Sequence, residues 1–418
     1  MGSRFSGTNY FSELRAQWRP LLAALIGLGS GFSLTMYTTS IMAPHFLKEF
    51  GWSKSEFALV GSLSVLTIPV FPLIGRMADV LGVRRTALIG VIALPLCFVG
   101  YSMMNGDIRV YITLFLLQST LCMPTTATVY SRIVVQYVTI ARGLALAIVA
   151  SGPALTGAIG GPLLNNFVEA HGWRSGYLAL VVFSIIAGAT ALLLMPPERK
   201  VGDAPVPRRT IRQDYPEIIA KPAFWVLLAA MLLCNVALAI SQTQLKLVIL
   251  DNGITPADTS MMISAFAVGV LVGRFASGVA LDRFPAHLVA VVAMGLPSIG
   301  LFLLAAHSGV RPLVMLAIVL IGFALGGEGD VVAYLVVRTF GVRIYSSVLG
   351  IMTAAIATSS SVGAALLSLT LKLTGRYTPF FIGSGVAIAI GSLLFLLLGK
   401  KRNAEVSAQF LEVKQESS

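Results

Sequence analysis

The chain has 418 residues, of which 56% are hydrophobic and only 11% charged, and its mean hydropathy is +0.86. This composition excludes a soluble protein of that length, because about 20 consecutive apolar residues suffice to cross a bilayer as a helix. The formal charge of +12 is spread over many loops, so it indicates membrane topology rather than a nucleic-acid partner.

Twelve apolar runs follow one another along the chain, and we predict each as a transmembrane helix. Helices 1 to 12 are expected at 20–46, 55–80, 84–104, 108–134, 141–169, 174–196, 222–250, 257–283, 286–308, 311–338, 343–373 and 376–400. The longest polar interval, rich in proline and charge, separates six runs from six. The predicted domains are a leader (1–19), an N-terminal six-helix bundle (20–196), a linker (197–221), a C-terminal six-helix bundle (222–400) and a tail (401–418).

The positive charges alternate between the loops on the two sides of these helices. If both termini share one side, that side holds 21 of the 30 Lys and Arg residues, the other side holds seven, and Lys246 and Arg274 lie within helices. This asymmetry predicts cytoplasmic N- and C-termini. We expect a monomer in the plasma (inner) membrane, with no nucleic-acid partner. The cysteines and histidines show no metal-ligand spacing, so neither a metal nor a cofactor is expected.

The two halves repeat at a constant shift of 203 residues. The matched pairs are Gly75 and Gly278, Asp79 and Asp282, Gly172 and Gly375, and Tyr177 and Phe380. Several landmarks at one shift predict two six-helix repeats, and tandem repeats with a site at their interface are a transporter architecture.

The stretch Gly75-Arg-Met-Ala-Asp-Val-Leu-Gly-Val-Arg-Arg85 carries a family resemblance. It resembles the loop 2–3 signature of the major facilitator superfamily, with a weaker second copy at Gly278, Asp282 and Arg283. The resemblance implies an all-α membrane protein with 12 transmembrane helices in two pseudo-symmetric six-helix bundles. We expect Gly75 to let helices approach and Asp79 to cap a neighbouring helix and pair with nearby arginines. The predicted cytoplasmic latch consists of Gly75, Asp79, Arg84, Arg85, Asp282, Arg283, Arg142 and Arg338.

A second stretch, residues 137–152, resembles the fifth-helix motif of the monocarboxylate transporter family. Tyr137, Arg142, Leu144, Ala145 and Gly152 fit the motif, whereas the acidic-Gly-Trp signature of the first helix is absent. The following segment, 152–162, partly resembles the Gly-Pro motif of drug/proton antiporters. Two branches of the superfamily are therefore open, the organic-anion branch and the drug-export branch.

Arg274 is a permanent charge inside predicted helix 8, and its match in the first half is Phe71. A charge near the bilayer centre costs about 3 kcal/mol or more, so it needs a partner or a wet cavity. Its planar guanidinium fits a carboxylate. In monocarboxylate transporters and the related oxalate/formate exchanger an eighth-helix arginine binds the substrate anion, and Arg274 has the like position. A fixed ion pair with Glu328 or Asp330 is the alternative.

Three acidic residues of the second half are candidates for proton coupling: Glu328, Asp330 and Asp251. Glu328 and Asp330 lie two residues apart on helix 10, so they point in different directions and are expected to have different roles. Either could instead form a structural pair with Arg338 or Arg132. Asp251, near the outer end of helix 7, could serve as a gate or proton-entry group, and nearby Lys246 could extend to the membrane surface.

Polar residues on the helices that would surround a central cavity complete the predicted site. For substrate binding we single out Arg274, Tyr37, Gln118, Asn235, Gln242 and Tyr334; apart from Arg274, each could equally bond a neighbouring helix. The prediction is a secondary transporter of small organic anions, in particular monocarboxylates with a proton, working by alternating access. Exchange of two anions, a proton-driven drug exporter and a non-transporting sensor remain alternatives. The sequence shows no arrangement of nucleophilic or acid–base residues that would predict an enzyme.

Overall fold

A computed structural model describes residues 7–52, 57, 60, 63–196, 211–238, 240–306 and 309–399. All regular structure in these ranges is helical. The first six residues of the predicted leader, residues 197–210 of the predicted linker and the predicted tail 401–418 lie outside the described residues.

Each predicted span corresponds to helical structure, although four spans consist of more than one segment. In the first half, helix 1 comprises Trp18–Gly29 and Leu34–Phe50, helix 2 comprises Leu63–Thr67 and Val70–Leu81, helix 3 is Val83–Ser102, helix 4 comprises Ile108–Leu121 and Ala127–Tyr137, helix 5 is Arg142–His171, and helix 6 is Trp173–Leu194. In the second half, helix 7 comprises Pro222–Cys234, Ile240–Gln244 and Leu245–Asp251, and helix 8 is Pro256–Arg283. The last four are helix 9, Ala286–Ala305, helix 10, Arg311–Phe340, helix 11, Tyr345–Thr374, and helix 12, Thr378–Gly399. A leader helix, Gly7–Ala16, and a linker helix, Ile211–Ala220, lie outside the spans. Within the described ranges, nine helices are long and apolar enough to cross a membrane, or up to eleven if each bent pair is one span.

The chain divides into two compact units. The first comprises residues 1–208 and 340–354, and the second comprises residues 209–339 and 355–418. The division between residues 208 and 209 falls inside the predicted linker. The segment 340–354, which the sequence places in the C-terminal bundle, instead groups with the first unit, so helix 11 contributes to both units.

Helix 1 and helix 7 are interrupted at corresponding positions of the repeat. The α-helix of helix 1 stops at residues 30–33, which the 203-residue shift maps onto 233–236, and that of helix 7 stops at the overlapping residues 235–237. Helix 7 then continues through a π-helical turn, Ile240–Gln244. Such turns occur in short pieces and are frequent at functional sites.

Each unit has its own apolar core. In the first unit, Phe46 lies fully buried among aromatic rings, with Trp173 edge-on at 4.9 Å and Tyr177 stacked at 6.2 Å between centroids. In the second unit, Phe381 and Ile318 are fully buried in a cluster that includes side chains of helices 7, 9, 10 and 12. Many large apolar side chains elsewhere are exposed, as expected for a surface in contact with lipid.

Candidate substrate and proton site

Small residues bring helices 8 and 10 into backbone contact and thereby position Arg274. A Cβ atom added at Gly273 would lie 2.0 Å from the Phe323 carbonyl oxygen, and one added at Gly326 would lie 1.9 Å from the Val270 carbonyl oxygen. The half-buried Arg274 donates from Nε to the Gly326 carbonyl oxygen at 3.3 Å. Glycine at these positions is therefore what allows the arginine to lie against helix 10.

Asp330 is the acidic group of helix 10 that is associated with Arg274. Asp330 is only 3% exposed, and its carboxyl group interacts electrostatically with the positive charge of Arg274. Gly326 and Asp330 are four residues apart and so occupy the same face of helix 10, the face that meets helix 8. The ion-pair alternative for Arg274 therefore has a structural candidate in Asp330.

The sequence offered Arg338 or Arg132 as an alternative partner of Asp330, and the structure places both arginines elsewhere. Arg338 is exposed at the end of helix 10, and Arg132 pairs with Asp79 in the first unit. The physical reason is the face of helix 10 on which Asp330 lies, because that face is occupied by helix 8 and its arginine.

Glu328 lies on a different face of helix 10 from Asp330, as its spacing predicts. It is 8% exposed, and its side chain is hydrogen-bonded to the side chain of Asn235 at the interruption of helix 7. Asn235 also donates from Nδ2 to the Met231 carbonyl oxygen at 3.0 Å. The two helix-10 carboxyl groups thus have separate surroundings, one with a cation and one with a neutral amide.

The remaining predicted substrate residues have diverse environments. Tyr37 is half-buried, and its ring lies against Gly157 of helix 5, where an added Cβ would be 2.2 Å from Cζ. Gln118 is 2% exposed and accepts a hydrogen bond from the Tyr101 hydroxyl at 3.0 Å. Tyr334 is half-buried. Gln242 lies in the π-helical turn, and its side chain is outside what the structure describes.

Asp251 and Lys246 are both exposed near the end of helix 7. The Tyr377 hydroxyl donates to Gln244 Oε1 at 3.2 Å. Burial raises the pKa of Tyr377, and the nearby charge of Asp251 raises that pKa further. Asp251 therefore belongs to a polar group of side chains at this end of the second unit, while Lys246 extends away from the core.

The first half of the predicted latch centres on Asp79. Its buried carboxylate accepts hydrogen bonds from the backbone N–H groups of Ser346 at 3.0 Å and Ser347 at 2.6 Å, at the start of helix 11. Arg132 pairs with the same carboxylate and also donates to the Val342 carbonyl oxygen at 2.8 Å. A carboxylate at this position stabilises the N-terminal, partly positive end of a helix.

Arg84 and Arg85, which the sequence paired with Asp79, are exposed. Sequence reasoning missed Arg132 as the partner of Asp79, although a basic residue at the end of a span is a signal for such a role. In the second copy, Asp282 is half-buried and Arg283 is exposed. Arg142 donates from Nε to the Val138 carbonyl oxygen at 3.0 Å and so braces the turn before helix 5.

Glu13, which sequence reasoning also missed, fastens the leader helix to the turn between helices 4 and 5. Its carboxylate accepts hydrogen bonds from the backbone N–H groups of Thr139, Ile140 and Ala141, all at 2.8 Å, and from the Thr139 hydroxyl. Partial burial opposes its ionisation, but the hydrogen bonds from Ala141 and Thr139 outweigh burial and hold its pKa below the ordinary value. Glu13 is the only acidic residue in the predicted leader 1–19, and this feature of the sequence could have indicated a specific contact.

Comparison with known proteins decides the family. The sequence profile described as Major Facilitator Superfamily matches residues 23–249 and 244–415, which is nearly the whole chain. The chain belongs to the Major Facilitator Superfamily. This confirms the resemblance read from the loop 2–3 signature, and the superfamily is one of transporters.

A curated relative lies in the monocarboxylate branch. The chain is 25% identical to Monocarboxylate transporter 13 of Rattus norvegicus over 392 residues, which cover 91% of this chain and 88% of the relative. The predicted resemblance to that branch rests on this relative and on the fifth-helix motif.

Solved structures with the same fold are transporters of several kinds. The fucose:proton symporter FucP of E. coli aligns with a TM-score of 0.69 at 13% identity, covering 91% of this chain and 98% of that chain. The human organic anion transporter MFSD10 aligns with a TM-score of 0.64 at 14% identity, covering 92% and 99%. At these identities the likeness concerns the fold, and it confirms the predicted all-α membrane fold of a superfamily transporter.

Proposed function

We propose that this superfamily member is a secondary transporter of small organic anions, in particular monocarboxylates moved together with a proton. The observation that carries the proposal is Arg274, a half-buried guanidinium held against helix 10. The scaffold does not need this charge, since the corresponding position of the first half is Phe71. A guanidinium in such a place is suited to bind a carboxylate.

Asp330 gives the proposed site a means of exchanging its counter-charge. In the absence of substrate the Asp330 carboxyl group compensates the charge of Arg274. A substrate carboxylate can replace it if Asp330 takes up a proton, because a buried site tolerates one neutral pair of opposite charges better than three charges with a net charge of −1. Substrate and proton would then bind together, and their combined charge would be zero.

Electroneutral transport has an energetic advantage for an anion. Moving one negative charge into a compartment at an inside-negative potential of 100 mV costs about 2.3 kcal/mol, and a co-transported proton removes that cost. Exchange of one anion for another removes it equally well. We also propose that the carrier lies in the plasma (inner) membrane with both termini in the cytoplasm, an orientation that the positions of the basic residues support.

The test is uptake of radiolabelled lactate, oxalate and benzoate into proteoliposomes, with and without an inwardly directed proton gradient. Arg274→Lys and Arg274→Gln should both abolish carboxylate uptake, since lysine lacks the planar fork. Lys246→Gln is the matched control, because Lys246 is the other cation that the sequence places within a helix but is exposed. Undiminished uptake in both Arg274 variants would contradict the proposal, and uptake driven only by a trans anion would identify an exchanger.

A further inference from the structure

The interruption of helix 7 is closed by contacts from neighbouring helices of its own unit. The Ser359 hydroxyl of helix 11 donates to the Leu232 carbonyl oxygen, one of the carbonyl groups next to the interruption. Gly363 lies against the Val236 carbonyl oxygen, where an added Cβ would be 1.8 Å away. The serine hydroxyl satisfies one backbone carbonyl group beside the interruption, and glycine at position 363 allows helix 11 to approach it closely.

Residues at equivalent positions of the repeat also make contacts across the interruption of helix 1 in the first unit. Helix 1 is interrupted at residues 30–33, and the Phe32 N–H donates to the Thr125 hydroxyl oxygen of helix 4 at 2.8 Å. Adding 203 to these two positions gives Asn235 and Glu328, which are also hydrogen-bonded to each other. The repeat therefore places one side-chain contact across each interruption, at equivalent positions.

A second matched pair supports this correspondence. In the first unit, Thr156 of helix 5 lies next to Gly29, where an added Cβ would be 2.8 Å from the threonine hydroxyl. The shift maps Gly29 onto Leu232 and Thr156 onto Ser359, the residues already in contact beside helix 7. Two contacts at one shift show that both interruptions follow one structural plan.

The two halves differ in the chemistry of the first contact. A threonine hydroxyl cannot change its charge, so the contact across helix 1 is the same at every physiological pH. A glutamate accepts hydrogen bonds when ionised but gains a donor when protonated. The scaffold thus closes such an interruption with a neutral group, and the carboxyl group of Glu328 is an addition peculiar to the second half.

A cavity of about 40 Å³ opens between Glu328 and helix 7. It has room for about one to three water molecules, and Asn235, Ser241 and Glu328 give it polar groups that would bind them. The sides formed by helices 9 and 12 carry no charge, since they consist of Met294, Pro297 and Ile388.

The helices around Glu328 carry further ionisable side chains. On helix 7, the Cys234 thiol interacts with the charge of Glu328. On helix 8, Arg274 acts on Asp330, which occupies a different face of helix 10. Glu328 therefore shares its cavity with no cation among the described residues that line it.

We propose that this cavity is a hydrated proton-binding site, and that Asn235 is a positioning residue that transmits the protonation of Glu328 to the interruption of helix 7. The ionised carboxylate holds the Asn235 amide through an N–H group. On protonation, the new O–H group seeks an acceptor, either the Asn235 amide oxygen or a helix-7 carbonyl, so the hydrogen bonds at the interruption must rearrange. The interruption of helix 1, closed by Thr125, has no such response.

This inference deepens the proposed function and rests on it only for its role in transport. The cavity, its proton and its link to helix 7 can be measured without any substrate. Infrared difference spectra of the protein in lipid, recorded between acidic and alkaline pH, should contain a carboxylic-acid C=O band that Glu328→Gln removes. Asn235→Leu should move that band to higher frequency, because the acid loses a hydrogen-bond partner.

Transmission to helix 7 is tested by a double-mutant cycle read by hydrogen exchange over residues 231–241. Glu328→Gln, which imitates the protonated acid, should change exchange at the interruption by roughly fivefold, the equivalent of one hydrogen bond. In the Asn235→Leu background the same change should have no further effect. Thr125→Val is the control and should alter exchange at residues 30–33 independently of pH.

The outcomes separate the two proposals. If Glu328→Gln changes exchange equally in both backgrounds, or in neither, Asn235 does not have the proposed role. If Glu328→Gln removes no carboxylic-acid band from the infrared spectra, Glu328 is not the proton site. If Asn235→Leu does not fold, Asn235→Ser provides the same comparison. A protein that passes these tests but moves no carboxylate in proteoliposomes would refute the proposed substrate while leaving the proton site intact.

Discussion

Arg132 is paired with Asp79, and both side chains are buried, with 7% and 1% of their surfaces exposed. Asp79 also accepts the N–H groups of Ser346 and Ser347. One carboxylate therefore joins the ends of helices 2, 4 and 11 within the first unit. Its charge is compensated by Arg132, so the pair should be sensitive to loss of either member.

We predict that Arg132→Gln lowers the thermal unfolding temperature strongly, because it leaves a buried carboxylate without its cation. Removing one member of a buried pair typically costs about 3–5 kcal/mol. Arg84→Gln is the control, and an exposed substitution of this kind should stay within about 0.5 kcal/mol. Thermal unfolding of the purified protein in detergent measures both.

A compensating variant sharpens this prediction. Asp79→Asn combined with Arg132→Gln removes both charges and keeps polar groups of similar size, so it should recover part of the lost stability. If the double variant is less stable than Arg132→Gln alone, charge compensation is not the reason for the pairing.

The fold was largely predictable because the bilayer restricts what an apolar chain can form. Runs of apolar residues must be helices, and the sequence boundaries agree with the structure to within a few residues for spans such as helix 3 and helix 8. The interruptions of helices 1 and 7 were not predicted. They leave the apolar pattern unchanged and depend on partners such as Thr125 and Ser359, which lie far away in sequence.

The candidate site was predictable in its residue types but not in its pairings. The internal repeat singled out Arg274, Glu328 and Asp330, because the first half has uncharged residues at the matching positions. Which carboxyl group lies beside Arg274 depends on the faces of helix 10, which the glycine contacts with helix 8 determine. Side-chain spacing separated the two acidic groups but did not identify their neighbours.

Glu13 predicts a pH-dependent attachment of the leader helix. Its folded-state pKa is lowered, so its contribution to stability is complete above the pKa of a free glutamate, about 4.3, and is lost as the pH falls through the lower folded value. Protection against hydrogen exchange in the leader and at residues 139–141, measured relative to the intrinsic rate at each pH, should therefore be high at neutral pH and should fall on acidification below about pH 4.

The variant Glu13→Gln should show faster exchange already at neutral pH. A loss similar to that of a helix N-cap, roughly 1 kcal/mol, would raise exchange about fivefold. Glu169→Gln, which changes an exposed acidic side chain of helix 5, is the control. If protection of the leader helix against hydrogen exchange changes neither with pH nor in Glu13→Gln, another contact must hold this helix in place.

Substitution of Gly75 should destabilise the protein, because this residue lies in close contact with helix 11. A Cβ at this position would lie 2.0 Å from the Ser346 carbonyl oxygen, so Gly75→Ala must displace the helix that Asp79 caps. We expect a lower unfolding temperature. Gly161→Ala is the matched control, since a Cβ there meets nothing within 4 Å and alanine favours a helix by about 1 kcal/mol. Equal effects of the two changes would contradict the close approach.

The association of Arg274 with Asp330 predicts a large coupling between two substitutions. Arg274→Gln and Asp330→Asn should each lower the unfolding temperature, because each leaves a poorly compensated charge, whereas the double variant should lose less than the sum. We expect a coupling free energy of about 1–3 kcal/mol, measured in a double-mutant cycle. The more exposed pair Arg311 and Asp258, whose charged atoms are 2.8 Å apart and whose side chains are 48% and 28% exposed, is the control and should couple by less than about 1 kcal/mol. Strictly additive effects of Arg274→Gln and Asp330→Asn would mean that Asp330 does not compensate the arginine, and another counter-charge for Arg274 would then be required.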